Sequence, residues 1–232
     1  MAGGFTQEQK TIIGETERLL HEARYNPYFA EKMRTRGYNE EGWAHGESLL
    51  NTAKAAGRAK EQAESAKLGA TNAYERQREQ AWQQSSALAR TCVVLFQGQT
   101  DRLNALGLHG RRKDGNGTSR ISKPRKTANL DLVVAWQRNL FEVAQNQTEI
   151  ATVLAKNGFP AETLAQGAAG VEGLVRTNNV QEQAKAAIVQ RRKERDAEFK
   201  VLVQWLRCVK EAAELAKQEG SMKYELWVVA QK

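Results

Sequence analysis

The apolar residues of this chain recur at steps of three and four, a spacing that predicts helices rather than strands. A first helix is expected after Thr6, whose side chain can cap the following amides, with Ile12, Ile13, Leu19, Leu20 and Ala23 as its buried stripe. Asn26 and Pro27 interrupt it, and helix resumes from Tyr28 to Arg36 with Phe29 and Met33 on one face. Gly37 then supplies the residue type that accepts a left-handed cap. Asn39 opens the next helix, with Glu40 and Glu41 at its positive end.

The clearest period follows. Leu49, Ala56, Ala59, Ala63, Ala66, Ala70 and Ala73 form a narrow seam of small side chains, the pattern that lets a partner helix approach closely. The register runs through Gly69, so residues 39–96 read as one long helix, with weak points at Gly57 and Gly69. At about 1.5 Å per residue it would span ~85 Å. Toward its end Ala gives way to Trp82, Leu88, Val93, Val94, Leu95 and Phe96.

Beyond a Gly-, Ser- and Asn-rich stretch the plan recurs. Leu130 to Asn157 reads as one helix with Leu132, Val133, Trp136, Leu140, Val143, Ile150, Val153 and Leu154 as core positions. Gly158 ends it and Pro160 starts another. Arg36-Gly37-Tyr38-Asn39-Glu40-Glu41 and Asn157-Gly158-Phe159-Pro160-Ala161-Glu162 match as helix end, glycine, aromatic and helix start, and Gly46 and Gly167 fall at the same offset. Trp82 to Arg90 resembles Phe199 to Arg207 under a smaller offset, which also brings Cys92 near Cys208, so the second copy reads as about one turn shorter. The loss is expected as a local change of winding or at Thr177-Asn178-Asn179.

The expected fold is all-α: an elongated antiparallel helical bundle of two diverged tandem repeats, each a shorter helix followed by a long one. The divisions are residues 1–106 for the first repeat, 107–127 for a basic flexible linker, 128–220 for the second repeat and 221–232 for a tail, with the repeats packing as one bundle.

Charge changes this picture in one place. Of the formal net charge of +8, Arg111, Arg112, Lys113, Arg120, Lys123, Arg125 and Lys126 against Asp114 account for most, so the bundle itself is nearly balanced. Seven cations on a Gly- and Ser-containing segment could neutralise phosphates without a fixed geometry, although no aromatic residue among them could stack on bases. These seven are the candidate polyanion-binding residues. The β-branched and aromatic segment after Gly220-Ser221 either packs back on the bundle, the reading preferred, or docks as an extended peptide on another chain, with Tyr224, Leu226, Trp227 and Val228 as the candidate partner-docking residues.

No catalytic or metal site is expected, and no cofactor. His21, His45 and His109 do not complete the Glu-x-x-His pattern of a di-metal bundle, and both cysteines sit in apolar runs that predict buried thiols. The glycines from Gly107 to Gly117 do not form a phosphate-binding loop. A small-molecule pocket near Trp82, Trp136 and Trp205 is a further class, without a convergent polar set to support it. No apolar run is long enough to insert in a membrane and the chain opens on no secretory signal, so a cytoplasmic protein is expected. The leading functional expectation is a non-enzymatic assembly or scaffold protein acting through helix-helix contacts, with a protein partner or self-association into oligomers. The alternative is a nucleic-acid or polyanion-binding accessory protein using residues 111–126.

Overall fold

A computed structural model of the chain describes residues 5–108 and 123–218. Among them every regular element is a helix: α1 (Gln7–Tyr25), α2 (Pro27–Arg34), α3 (Glu40–Leu95), α4 (Thr100–Ala105), α5 (Leu130–Asn146), α6 (Thr148–Lys156) and α7 (Ala161–Gln218). The all-α expectation holds. The candidate docking residues Tyr224, Leu226, Trp227 and Val228, and the basic residues Arg111, Arg112, Lys113 and Arg120, lie outside the described residues.

Local chemistry sets the helix starts. Thr6 accepts from the Gln9 amide at 3.2 Å while the Gln9 side chain accepts from the Thr6 amide at 3.0 Å, a reciprocal capping box at α1. Asn26 accepts from the Phe29 amide at the head of α2, and Asn39 from the Gly42 amide at the head of α3. Gly37 and Gly158 both sit at φ 88°, and in each case the following aromatic amide donates back to a buried residue: Tyr38 to the Met33 carbonyl, Phe159 to the Leu154 carbonyl. That six-residue bond with a left-handed glycine is the Schellman stop, and glycine is required because a Cβ is strained there.

Three expectations about the elements are corrected. The helix expected from Leu130 to Asn157 is broken at Gln147, which lies extended at φ −87° and ψ 103° between α5 and α6. Asn26 makes the same break between α1 and α2 at φ −112° and ψ 95°. Proline announces the first break; nothing local announces the second, which instead lets Ile150 and Leu154 reach the core. The shortening by about one turn expected in the second half is also not seen: α7 has 58 residues and α3 has 56, and both are unbroken through Gly57, Gly69 and Thr177-Asn178-Asn179. Finally, the Ala seam of α3 is at most half-buried and Ala66 is exposed, while the buried face of that segment is Leu50, Ala53 and Gly57.

The chain divides into two compact units, Met1–Lys67 with Ala184–Lys232, and Leu68–Gln183. Within the first unit, α1, α2 and the first half of α3 pack with the last half of α7. One cluster joins Phe29 and Met33 to Val209, Ala213 and Ala216, and another joins Leu50 and Ala53 to Phe199 and Leu202. Gly46 lies against the Trp205 ring, where a Cβ would overlap the indole. Glu15 pairs with Lys210 at 2.8 Å on the surface of this unit.

Within the second unit, α4, α5, α6 and the first half of α7 pack with the last half of α3 around one continuous core. Its members include Leu88, Cys92, Phe96, Trp136, Leu140, Phe141, Ile150, Leu154, Leu164 and Leu174. Gly167 lies against the Phe141 ring as Gly46 lies against Trp205. Gln77 donates to the Gly170 carbonyl at 2.9 Å, and Gln181 to Thr71 at 3.3 Å, so these stretches of α3 and α7 run antiparallel.

Candidate functional site

The described part of the basic segment starts at Lys123, on the second unit, where the core has reached Trp82 and Trp136. Trp136 is fully buried, and the two indoles lie 5.7 Å apart between centroids at 51°. The Lys123 ammonium stands 5.7 Å from each ring centroid. A cation over an indole face is attracted by the ring quadrupole. Burial pushes Lys123 below the ordinary lysine range, with the like charge of Arg90 adding to it.

Backbone bonds complete the anchor. The Lys123 amide donates to the Gly107 carbonyl at 3.0 Å, holding the two ends of the intervening segment together. Lys126 pairs with Glu79, and Arg78 donates to the Lys126 carbonyl at 2.7 Å. That ammonium, followed by a hydrogen bond from Gln83, holds the Glu79 carboxyl below the usual carboxylate range. Of the three described members of the basic set, all exposed, Lys123 and Lys126 make contacts inside the second unit.

The three tryptophans considered as a third class of site, a small-molecule pocket, fall in different clusters. Trp205 belongs to the first unit, edge-on to Trp43 at 6.1 Å, whereas Trp82 and Trp136 pair in the second. The reason is the packing of α7, whose last half covers α2 and the start of α3. A cleft of about 240 Å³ does open on the second unit, lined by Leu130, Asp131, Val134, Ala135, Arg138, Val175, Asn178 and Asn179. Arg138 on its rim is committed to Glu172, through bonds of 2.7 and 2.9 Å.

A polar feature that sequence reasoning missed lies under the tryptophans. Gln137 is fully buried and donates to Ser85 Oγ at 2.8 Å, while Ser85 donates to the Ala81 carbonyl, also at 2.8 Å. Among the described residues, Gln84 Oε1, Ser86 Oγ, Trp136 Nε1 and Gln137 Oε1 are buried without a hydrogen-bond partner. The available signal was Ser85-Ser86 in the apolar stripe between Ala81 and Leu88.

The cysteines separate. Cys92 is buried, its thiol pushed up to about 12 by burial, whereas Cys208, expected to be buried, is exposed and accepts from Gln204 at 3.8 Å. His21 and His45 are exposed, and among the described residues no group of three His, Cys, Asp or Glu could hold a metal ion. No helix among them is long and apolar enough to cross a membrane. Compared with known protein families, curated proteins and solved structures, the chain has no match.

Proposed function

We propose that the chain is a non-enzymatic assembly or scaffold protein of the cytoplasm that works through helix-to-helix contacts, including contacts with further copies of itself. One observation carries this reading. With each unit's core filled, α3 and α7 still turn large aliphatic side chains to solvent: Leu68 and Val94 on the former, Val189 and Leu215 on the latter. Isolated exposed apolar residues are ordinary. Leu68 is spaced from Val189, and Val94 from Leu215, as Gly37 is from Gly158, while Val180, Val201 and Val203 add further exposed aliphatic positions on α7. The same two places on each long helix stay apolar and uncovered.

Light scattering across a concentration series tests the reading, with the wild type compared against Val94→Glu/Leu215→Glu. Self-association is expected, and the double variant should weaken it at least about tenfold, which is ~1.4 kcal/mol. A protein that stays monomeric at every concentration would sink the proposal.

The anchored base of the basic segment favours a second reading, polyanion binding. Arg111, Arg112, Lys113 and Arg120 are tethered between ends that the Gly107–Lys123 bond holds together. If they engage phosphates, replacing all four by Gln should flatten the dependence of log K on log salt for a generic duplex by about three to four. Binding with an unchanged slope would remove these residues from that role.

A further inference from the structure

The spacing from Gly37 to Gly158 organises more than the turns. Carried along the chain, it superposes buried position on buried position: Phe29 on Ile150, Met33 on Leu154, Leu50 on Val171. It continues without a shift to the far ends of the long helices, where Ala81 falls on Leu202, Leu88 on Val209 and Cys92 on Ala213, each pair buried. A loss of about four residues would turn later positions by only ~40°, so it is the near-equal lengths of α3 and α7, rather than the buried face, that leave no room for one.

The same superposition exchanges the two compact units. In the first, Phe29 and Met33 of α2 pack on Val209 and Ala213 of α7. In the second, their counterparts Ile150 and Leu154 of α6 share a core with Leu88 and Cys92 of α3, the counterparts of Val209 and Ala213. Each unit therefore takes its short helices and the first half of a long helix from one copy, and the last half of a long helix from the other.

We infer that the chain is a covalently joined pair of like partners: the last half of each long helix is a docking surface for the other copy, and the connection between Leu108 and Lys123 is not needed for their association. This is the kind of element exchange by which two like chains complete one another's cores, the same patch serving both members. Residue 1–106 and residue 123–218 stretches recognise one another as two chains would, and neither unit is complete within one copy. The partner that this surface fits is a second copy of the same helical plan.

Two experiments on the full chain test it. First, a protease site inserted between Gly115 and Asn116 is cut, and the product is measured by size-exclusion chromatography with light scattering and by circular dichroism. The fragments are expected to co-elute at the mass of the uncut chain with the helical signal unchanged. Fragments that separate without denaturant, or a helical signal that collapses on cutting, would overturn the inference.

Second, a circular permutant opens the chain at the same place and joins the original termini through a Gly-Ser linker that matches the natural connection in length. If the copies are equivalent, the permutant should match the wild type in helical signal and mass. A permutant without helical signal would overturn the equivalence. Neither experiment depends on self-association, so a strictly monomeric chain would defeat the proposed function and leave this inference standing.

Discussion

Cys92 and Cys208 sit in helices of the same kind and in opposite surroundings. A thiol whose pKa is raised to about 12 holds a roughly three-thousandfold smaller thiolate fraction than one near the ordinary 8.5, and only the thiolate attacks a disulfide reagent. Native protein should therefore titrate one thiol, Cys208, with Cys92 reacting on unfolding. Two equally fast thiols in a colorimetric assay would show that Cys92 is not shielded. Gln137 and Thr16 make a similar contrast. At equivalent positions, both buried, Thr16 donates to the Ile12 carbonyl of its own helix at 2.8 Å, whereas Gln137 reaches across to Ser85. The two positions differ in where their polarity is satisfied, one within its helix and the other across to a neighbour.

At the scale of elements, the two Schellman stops are the most specific feature. Each glycine holds φ 88°, open around the missing Cβ, so substitution by alanine tests conformation alone rather than crowding. Gly37→Ala and Gly158→Ala should each lower stability by about 1–2 kcal/mol in urea unfolding, since an L-residue pays that much to be left-handed. Equal costs are expected because the two turns make equivalent bonds, and a neutral substitution at either would argue against a rigid stop there. The seam of α3 shows why helical period alone does not locate a core. Ala56, Ala59 and Ala63 recur correctly, yet with only methyl groups to offer they are half-buried, and the tight contact falls one step away at Ala53 and Gly57.

For the whole molecule, the consequence of shared helices is cooperativity. Both α3 and α7 contribute to each compact unit without a break, so melting either unit ends a helix that the other also uses. Leu88→Ala in the second unit and Leu202→Ala in the first, both fully buried, should each cost about 2–5 kcal/mol. Each variant should still unfold in a single transition shared by near-ultraviolet and far-ultraviolet circular dichroism. Two resolved transitions in either variant would show that the units melt separately.

What the amino-acid order determined by itself is local: helix as the only regular element among the described residues, the capping residues Thr6 and Asn39, the interruption at Asn26-Pro27, the stops at Gly37 and Gly158, and two glycines, Gly46 and Gly167, at one offset. Each depends on bonds or conformations within a few residues. The basic cluster was likewise legible as composition, but not that Lys123 would stand over Trp82 and Trp136, which come from helices far apart in sequence. Tertiary structure alone decided the break at Gln147, the outward turn of Val94 and Leu132, the exposure of Cys208 and the assembly of each unit from both halves of the chain. The physical reason is the same in every case. An apolar helical position is buried only when another part of the chain arrives to cover it, and periodicity records the need for a cover without naming what supplies it.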